Sequence, residues 1–219
     1  MKRDLAGYSA RLRDPAEAEK YARRFERGSR RRIGRREQRA MRRVFSSLSD
    51  CRSVLDAPCG AGRFLPTLAQ CCEEVLAADI SPEILRFARR KAAEAGAAKA
   101  RIFQADAARL PLEEGSVDAV FCNRLLHHIL VRGERPRVLR EFHRVSRRYA
   151  VVSFFNYRRF GAIQRWLKRL RGRRPPYERH PTAAEFAAEA AEAGFRVRDT
   201  VQVGPFWEAQ EFYVLDKAQ

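Results

Sequence analysis

The eleven residues from Val54 to Phe64, VLDAPCGAGRF, constrain this chain more than any other stretch. An apolar run ends at Asp56, gives way to small residues at Gly60-Ala61-Gly62, and resumes as the helical pattern Phe64, Leu65, Leu68, Ala69. A strand-to-helix turn of this kind uses glycine where backbone and ligand approach closely, and it aims the free N–H groups of a helix start at what binds there. The pattern predicts a nucleotide-like ligand at the turn. A dinucleotide fingerprint requires a third glycine, and Leu65 occupies that place, which argues against nicotinamide or flavin.

Beyond the turn, strand and helix patterns alternate. Strands are predicted over Ser53–Asp56, Glu74–Asp79, Arg101–Asp106, Val117–Cys122 and Arg148–Phe154. Helices are predicted over Gly62–Cys71, Pro82–Ala95 and Arg124–Ser146, the last interrupted around Gly133 and Pro136. This alternation gives a parallel sheet with helices on both faces. Thr182 is placed to cap a helix over Ala183–Ala193 that Gly194 closes. Arg196–Val203 and Glu211–Leu215, separated by Gly204-Pro205, then form an antiparallel hairpin that finishes the sheet.

Two segments lie outside this scheme. Residues 1–50 form a basic helical cap: Ala18, Tyr21, Ala22 and Phe25, then Ala40, Met41, Val44, Phe45 and Leu48, recur at helical spacing, and an arginine-rich hinge, Arg30 to Arg36, separates them. Residues 51–219 form the core, with a basic insert over 157–180. Within it Phe160, Ile163, Trp166, Leu167 and Leu170 make one apolar stripe on an otherwise Arg/Lys helix, which packs on the core or serves as a lid or interfacial helix.

With 219 residues the chain suits one α/β domain with modest additions. Its opening has no apolar run of signal-peptide length and no stretch is long enough to span a bilayer, so a cytoplasmic protein with at most peripheral membrane contact is expected. Of the net charge of +18, residues 1–50 carry +9 and 157–180 carry +8, against +5 for 51–156 and −4 for 181–219. The basic flanks suit an anionic partner, nucleic acid or a membrane surface, or reflect a general arginine bias. Five cysteines, odd in number and without Cys-x-x-Cys spacing, read as reduced thiols with no structural zinc.

In an open parallel sheet the ligand lies off the carboxyl ends of the strands. Those ends carry Asp56, Asp79, Asp106 and Asn123, all polar. Asp79 follows Asp56 by 23 residues, near the spacing at which an acid reaches ribose hydroxyls. With these four in place, the chain resembles the class I S-adenosylmethionine-dependent methyltransferases. The matching motifs are Val54–Gly62, Ala78-Asp79-Ile80-Ser81, Gln104–Pro111 and Asp118–His128.

The resemblance implies a Rossmann-like, seven-stranded, mainly parallel sheet with an antiparallel closing strand and an N-terminal helical extension. It implies S-adenosylmethionine as cofactor: Gly60, Ala61 and Gly62 would hold its methionine and ribose part, Asp79 the ribose hydroxyls, and Ile80 one adenine face. Asp106 and Ala107 would meet the adenine amino edge, and Asp56 and Asn123 the methionine end. The family pattern carries glycine where Pro58 stands, and proline offers only negative φ and no N–H. A base is needed only when a hydroxyl acceptor must lose a proton, and His127 or His128 is placed for it. Neighbouring histidines on a helix point two ways, so at most one faces the site, and either also suits a structural role. Asn123-Arg124-Leu125-Leu126 lacks the Asn/Asp-Pro-Pro-aromatic motif of similar enzymes that methylate base amines. The glutamates of metal-binding quinone-biosynthesis relatives are also missing between Asn123 and Leu130, so no metal is expected.

The expected function is methyl transfer to a small-molecule acceptor, on oxygen, with the basic cap and insert selecting an anionic or lipid-like substrate. The alternatives are a methyltransferase acting on RNA or a membrane lipid, and a non-catalytic cofactor-binding subunit.

Overall fold

The computed structural model describes residues 14–26, 28–129, 133–156, 181–205 and 209–218. The basic insert over 157–180 and its apolar stripe lie outside the described residues.

Seven strands form one sheet: β1 (Ser53–Asp56), β2 (Glu74–Asp79), β3 (Arg101–Gln104), β4 (Val117–Cys122), β5 (Ser146–Phe155), β6 (Phe195–Gln202) and β7 (Gln210–Lys217). Their order is β3-β2-β1-β4-β5-β7-β6. Neighbours are parallel up to β5, and β7 runs antiparallel between β5 and β6. The hairpin expected from Gly204-Pro205 is therefore inserted rather than appended, its second strand pairing with β5. Chain order reverses between β1 and β4, where an open sheet leaves a crevice at its carboxyl edge.

Both faces of the sheet are covered, so its central strands are apolar on both sides. Val54, Val75, Ala77, Ala119 and Phe121 point into one core, with α2 (Gly28–Phe45), α3 (Leu65–Cys71) and α4 (Pro82–Glu94). Leu55, Leu76, Ala78, Val120 and Cys122 point into the other, with α5 (Glu134–Val145) and α6 (Ala183–Glu192). The period-2 alternation within each strand assigns its residues to the two layers.

Local chemistry sets the helix starts. Asp14 accepts hydrogen bonds from the N–H groups of Ala16 and Glu17 at 2.8 and 3.4 Å, and Pro15 stands at the first turn of α1 (Pro15–Ala22). Thr182 caps α6 as the sequence predicts, and Glu185 completes a reciprocal capping box with it.

Two predictions require correction. Arg30–Arg36 is not a hinge: α2 runs unbroken from Gly28 to Phe45, and the break falls earlier, after a short 3-10 turn over Arg23–Phe25. Arginine is a good helix former, and Gly34, Glu37, Ala40, Met41, Val44 and Phe45 form the buried stripe that carries the helix through the arginines. The helix predicted over Arg124–Ser146 is a 3-10 turn at Leu126–His128 and a separate α5, because Arg124 is left-handed (φ 62°) and Gly133 (φ 91°) precedes the α5 start. Among the described residues no helix is long and apolar enough to cross a membrane.

Candidate functional site

A cavity of about 400 Å³ opens at the carboxyl edge of β1, β2 and β4, in the crevice where the order reverses. On one side lies the turn after β1. Gly60 (φ 53°) turns its N–H toward β2 and donates to Asp79 Oδ2 at 2.9 Å, while the N–H of Ser81 donates to Oδ1 at 3.0 Å. The carboxylate thus belongs to both the turn and the strand end. Burial pushes its pKa up, offset by the N–H groups of Ser81, Gly60 and Ile80.

Gly62 has a different role from the one expected. It does not line the cavity; at φ 72° it backs onto α4, and a Cβ there would lie 2.9 Å from Ala88 Cα. This glycine lets the turn pack on the helix.

Of the other residues predicted for a cofactor, Ala61, Ile80, Asp106, Ala107 and Asn123 line the cavity with Gly60 and Asp79. Ile80 is the only exposed large apolar side chain among the described residues, at 40%. An aliphatic face held open on a cavity wall suits a flat ring. Asp106 Oδ1 accepts from the N–H of Ala108 at 2.9 Å, which fixes the turn after β3. Asp56 is not in the lining. Its side chain is fully buried, neither carboxylate oxygen has a hydrogen-bond partner, and burial raises its pKa well above the ordinary range, Arg63 opposing.

The two histidine rings pack against each other with centroids 3.9 Å apart, but only His128 lines the cavity. His127 also packs against Phe155, centroids 4.3 Å apart and rings tilted by 46°.

The structure adds residues that the sequence reading missed. Tyr21 lies against Gly60: a Cβ on that glycine would sit 3.4 Å from the ring. Two guanidiniums lie over the Phe25 ring, Arg63 at 4.1 Å and Arg124 at 5.4 Å from its centre. Both aromatics line the cavity from the N-terminal segment and form its roof.

One buried acid locks this roof. Glu37 pairs with Arg63 Nη1 and Arg124 Nε, each at 2.7 Å, and accepts from Gln210 Nε2 at 2.7 Å and Asn123 Nδ2 at 3.3 Å. Burial opposes its charge, yet the two guanidiniums and the Gln210 amide hold its pKa below the usual value. The signal for it was in the sequence: Glu37 is the only acid in α2 and falls on the apolar stripe with Ala40, Met41 and Val44.

Residues 54–148 match a family model described as a methyltransferase domain. Among curated proteins, malonyl-[acyl-carrier protein] O-methyltransferase of Pectobacterium atrosepticum is 34% identical over 101 residues, covering 46% of this chain and 37% of that protein. An uncharacterised protein of Mycobacterium tuberculosis is 32% identical over 122 residues, covering 56% and 43%. The chain therefore spans less than half the length of these relatives. Among solved structures, magnesium protoporphyrin IX methyltransferase of Synechocystis PCC 6803, with bound SAH, superposes with a TM-score of 0.77 at 18% identity, covering 98% of this chain and all of that one. A SAM-dependent methyltransferase of Aquifex aeolicus gives 0.65 at 23% identity, covering 94% and 99%. These likenesses establish the shared fold.

Proposed function

We propose that the chain, whose residues 54–148 match a methyltransferase domain, is a class I S-adenosylmethionine-dependent methyltransferase that binds S-adenosylmethionine beside Asp79 and methylates an oxygen of a small-molecule acceptor. The observation that carries this reading is the convergence on one cavity of the Gly60 turn, the Asp79 carboxylate and the exposed face of Ile80. A carboxylate suits ribose hydroxyls, and an open aliphatic side chain suits adenine.

The cofactor supplies a methyl group already activated on a sulfonium. The residues of the chain position and enclose. Of the residues lining the cavity, Gly60 and Ala61 would bring backbone close to the ligand, Asp106 and Ala107 would border the adenine side, and Asn123 would border the methionine end. Tyr21 and Phe25 keep water from the reacting centre. His128 takes the proton of an acceptor hydroxyl on its imidazole, or, for a carboxylate acceptor already ionised, orients it.

Arg137 shares the lining with His128 and supports an anionic acceptor that displaces Glu134, which lies 3.7 Å from it in the same wall; Arg124, also in the lining, is engaged by Glu37. The Pectobacterium relative is named as an O-methyltransferase, which supports oxygen as the acceptor atom.

Titration calorimetry with S-adenosylmethionine should show binding that is lost in Asp79→Ala. Radiolabelled cofactor incubated with fractionated cell extract should then label the small-molecule fraction. Absence of binding by the wild type overturns the whole reading; label confined to RNA, lipid or protein overturns the acceptor class alone.

A further inference from the structure

At the edge of the sheet opposite the cavity, two cysteines lie just before adjacent parallel strands. β1 and β2 begin pairing at Ser53 and Glu74, and Cys51 and Cys72 each stand two residues before those starts, Cys72 at the C-terminal cap of α3. The two lead-in segments are tied together: the N–H groups of Glu73 and Glu74 both donate to the carbonyl of Arg52, at 2.8 and 3.0 Å. Neighbouring strands lie about 4.8 Å apart, inside the 4.4–6.8 Å range of Cα separations that a disulfide spans. Both side chains pack at the edge of the same core cluster. Cys51 is partly exposed, which gives a reagent access, and Cys72 is buried behind it.

We propose that Cys51 and Cys72 form a redox-active dithiol, a modification site that low-molecular-weight disulfides of the glutathione type oxidise to an intramolecular disulfide. The site is independent of the transferase reading.

The chemistry follows from exposure. The partly exposed Cys51, as thiolate, attacks one sulfur of the small disulfide; a mixed disulfide forms and one small thiol leaves. Cys72, losing its proton to solvent, attacks Cys51 Sγ; the protein disulfide forms and the second small thiol leaves. The protein loses two protons and two electrons, and one small disulfide becomes two thiols. The electrostatics agree with this order: a hydrogen bond from Cys72 draws the Cys51 thiol below its ordinary value, and the same interaction with burial pushes Cys72 up.

The other thiols are set apart. Cys59 and Cys122 are buried, with pKa values raised chiefly by burial. Cys71 neighbours Cys72 in sequence but is still the last residue of α3, one position further from the start of β2. The bond would join the starts of β1 and β2, the two strands whose far ends carry Asp56 and Asp79.

The test is oxidation of the folded full-length chain with oxidised glutathione, alkylation of the remaining thiols, and peptide mapping by mass spectrometry. Cys71 and Cys72 fall on one tryptic peptide, so wild type and Cys71→Ser are compared. The expected product in both is the Cys51–Cys72 cross-linked pair, two mass units lighter than the reduced peptides and restored by dithiothreitol. Cys72→Ser should yield only the mixed disulfide on Cys51, and Cys51→Ser should yield no cross-link. Loss of the cross-link in Cys71→Ser, or a wild-type product without any cross-link, overturns the proposal.

Discussion

The carboxylate of Glu37 and the guanidinium of Arg63 meet at 2.7 Å inside the roof of the cavity, joining α2 to the turn that follows β1. The acid is fully buried and serves Arg124 as well. Removing it leaves two largely buried guanidiniums unneutralised, a change that typically costs about 3–5 kcal/mol. Glu37→Ala should therefore unfold at markedly lower urea than wild type. Glu37→Gln, which keeps the hydrogen-bonding shape and loses the charge, should fall between them; equal midpoints for all three would show that the network contributes nothing.

Asp79 holds the Gly60 N–H and faces the cavity. Hydrogen bonds to a charged acceptor contribute about 1.5–3 kcal/mol each, so Asp79→Asn should weaken S-adenosylmethionine binding by about tenfold or more. Calorimetric titration reads the change directly. An unchanged dissociation constant would remove Asp79 from the ribose site.

Gly62 is the packing glycine of the turn. Alanine there meets Ala88 Cα at 2.9 Å and is held at φ 72°, which an L side chain adopts only at a cost. Gly62→Ala should lose about 1–3 kcal/mol of stability, visible as a lower thermal midpoint. Gly96→Ala, with nothing near its Cβ, should lose only the φ strain and thus less.

Asp56 gives the fold a pH dependence of definite sign. Burial holds its carboxyl well above the ordinary value, so the folded chain keeps a proton that the unfolded chain has released. Stability from this group is present below about pH 3.9 and is lost as pH rises toward the folded pKa, at up to about 1.4 kcal/mol per pH unit. Asp56→Asn should therefore gain on wild type as pH rises above about 4, measured by urea midpoints across a pH series. Glu37, with a lowered pKa, acts in the opposite sense and loses its stabilisation as pH falls. A difference between wild type and Asp56→Asn that does not change with pH would contradict this.

If His128 takes the acceptor proton, His128→Asn should lower kcat by about 10²–10⁴ with cofactor binding retained, while His127→Asn, outside the cavity lining though packed on the His128 ring, should lose less of the rate. Equal losses in both variants would mark the pair as structural.

The strands and their polar ends were legible because each is a short local pattern: β1, β2 and β4 begin and end where alternation and Gly/Pro punctuation place them. The arginine run Arg30–Arg36 misled, because charge and glycine suggest a break while the stripe from Gly34 to Phe45 demands continuity. Arg124 carried no sequence signal of its left-handed backbone, which its neighbours impose: its N–H donates to Ser153 Oγ at 2.6 Å, and its side chain reaches Glu37 and Gln210.

By itself the sequence determined the alternating α/β order, the turn at Gly60 to Gly62, and the acids at the strand ends, since these follow from periodicity and residue chemistry within a few positions. Tertiary structure alone decided which of those residues share a cavity. It turned Gly62 toward a helix, buried Asp56, put His128 but not His127 in the cavity lining, and brought Glu37, Asn123 and Gln210 together from as far as 173 positions apart in the chain. A carboxylate becomes a structural lock only when its partners exclude water, and that depends on contacts no local pattern encodes.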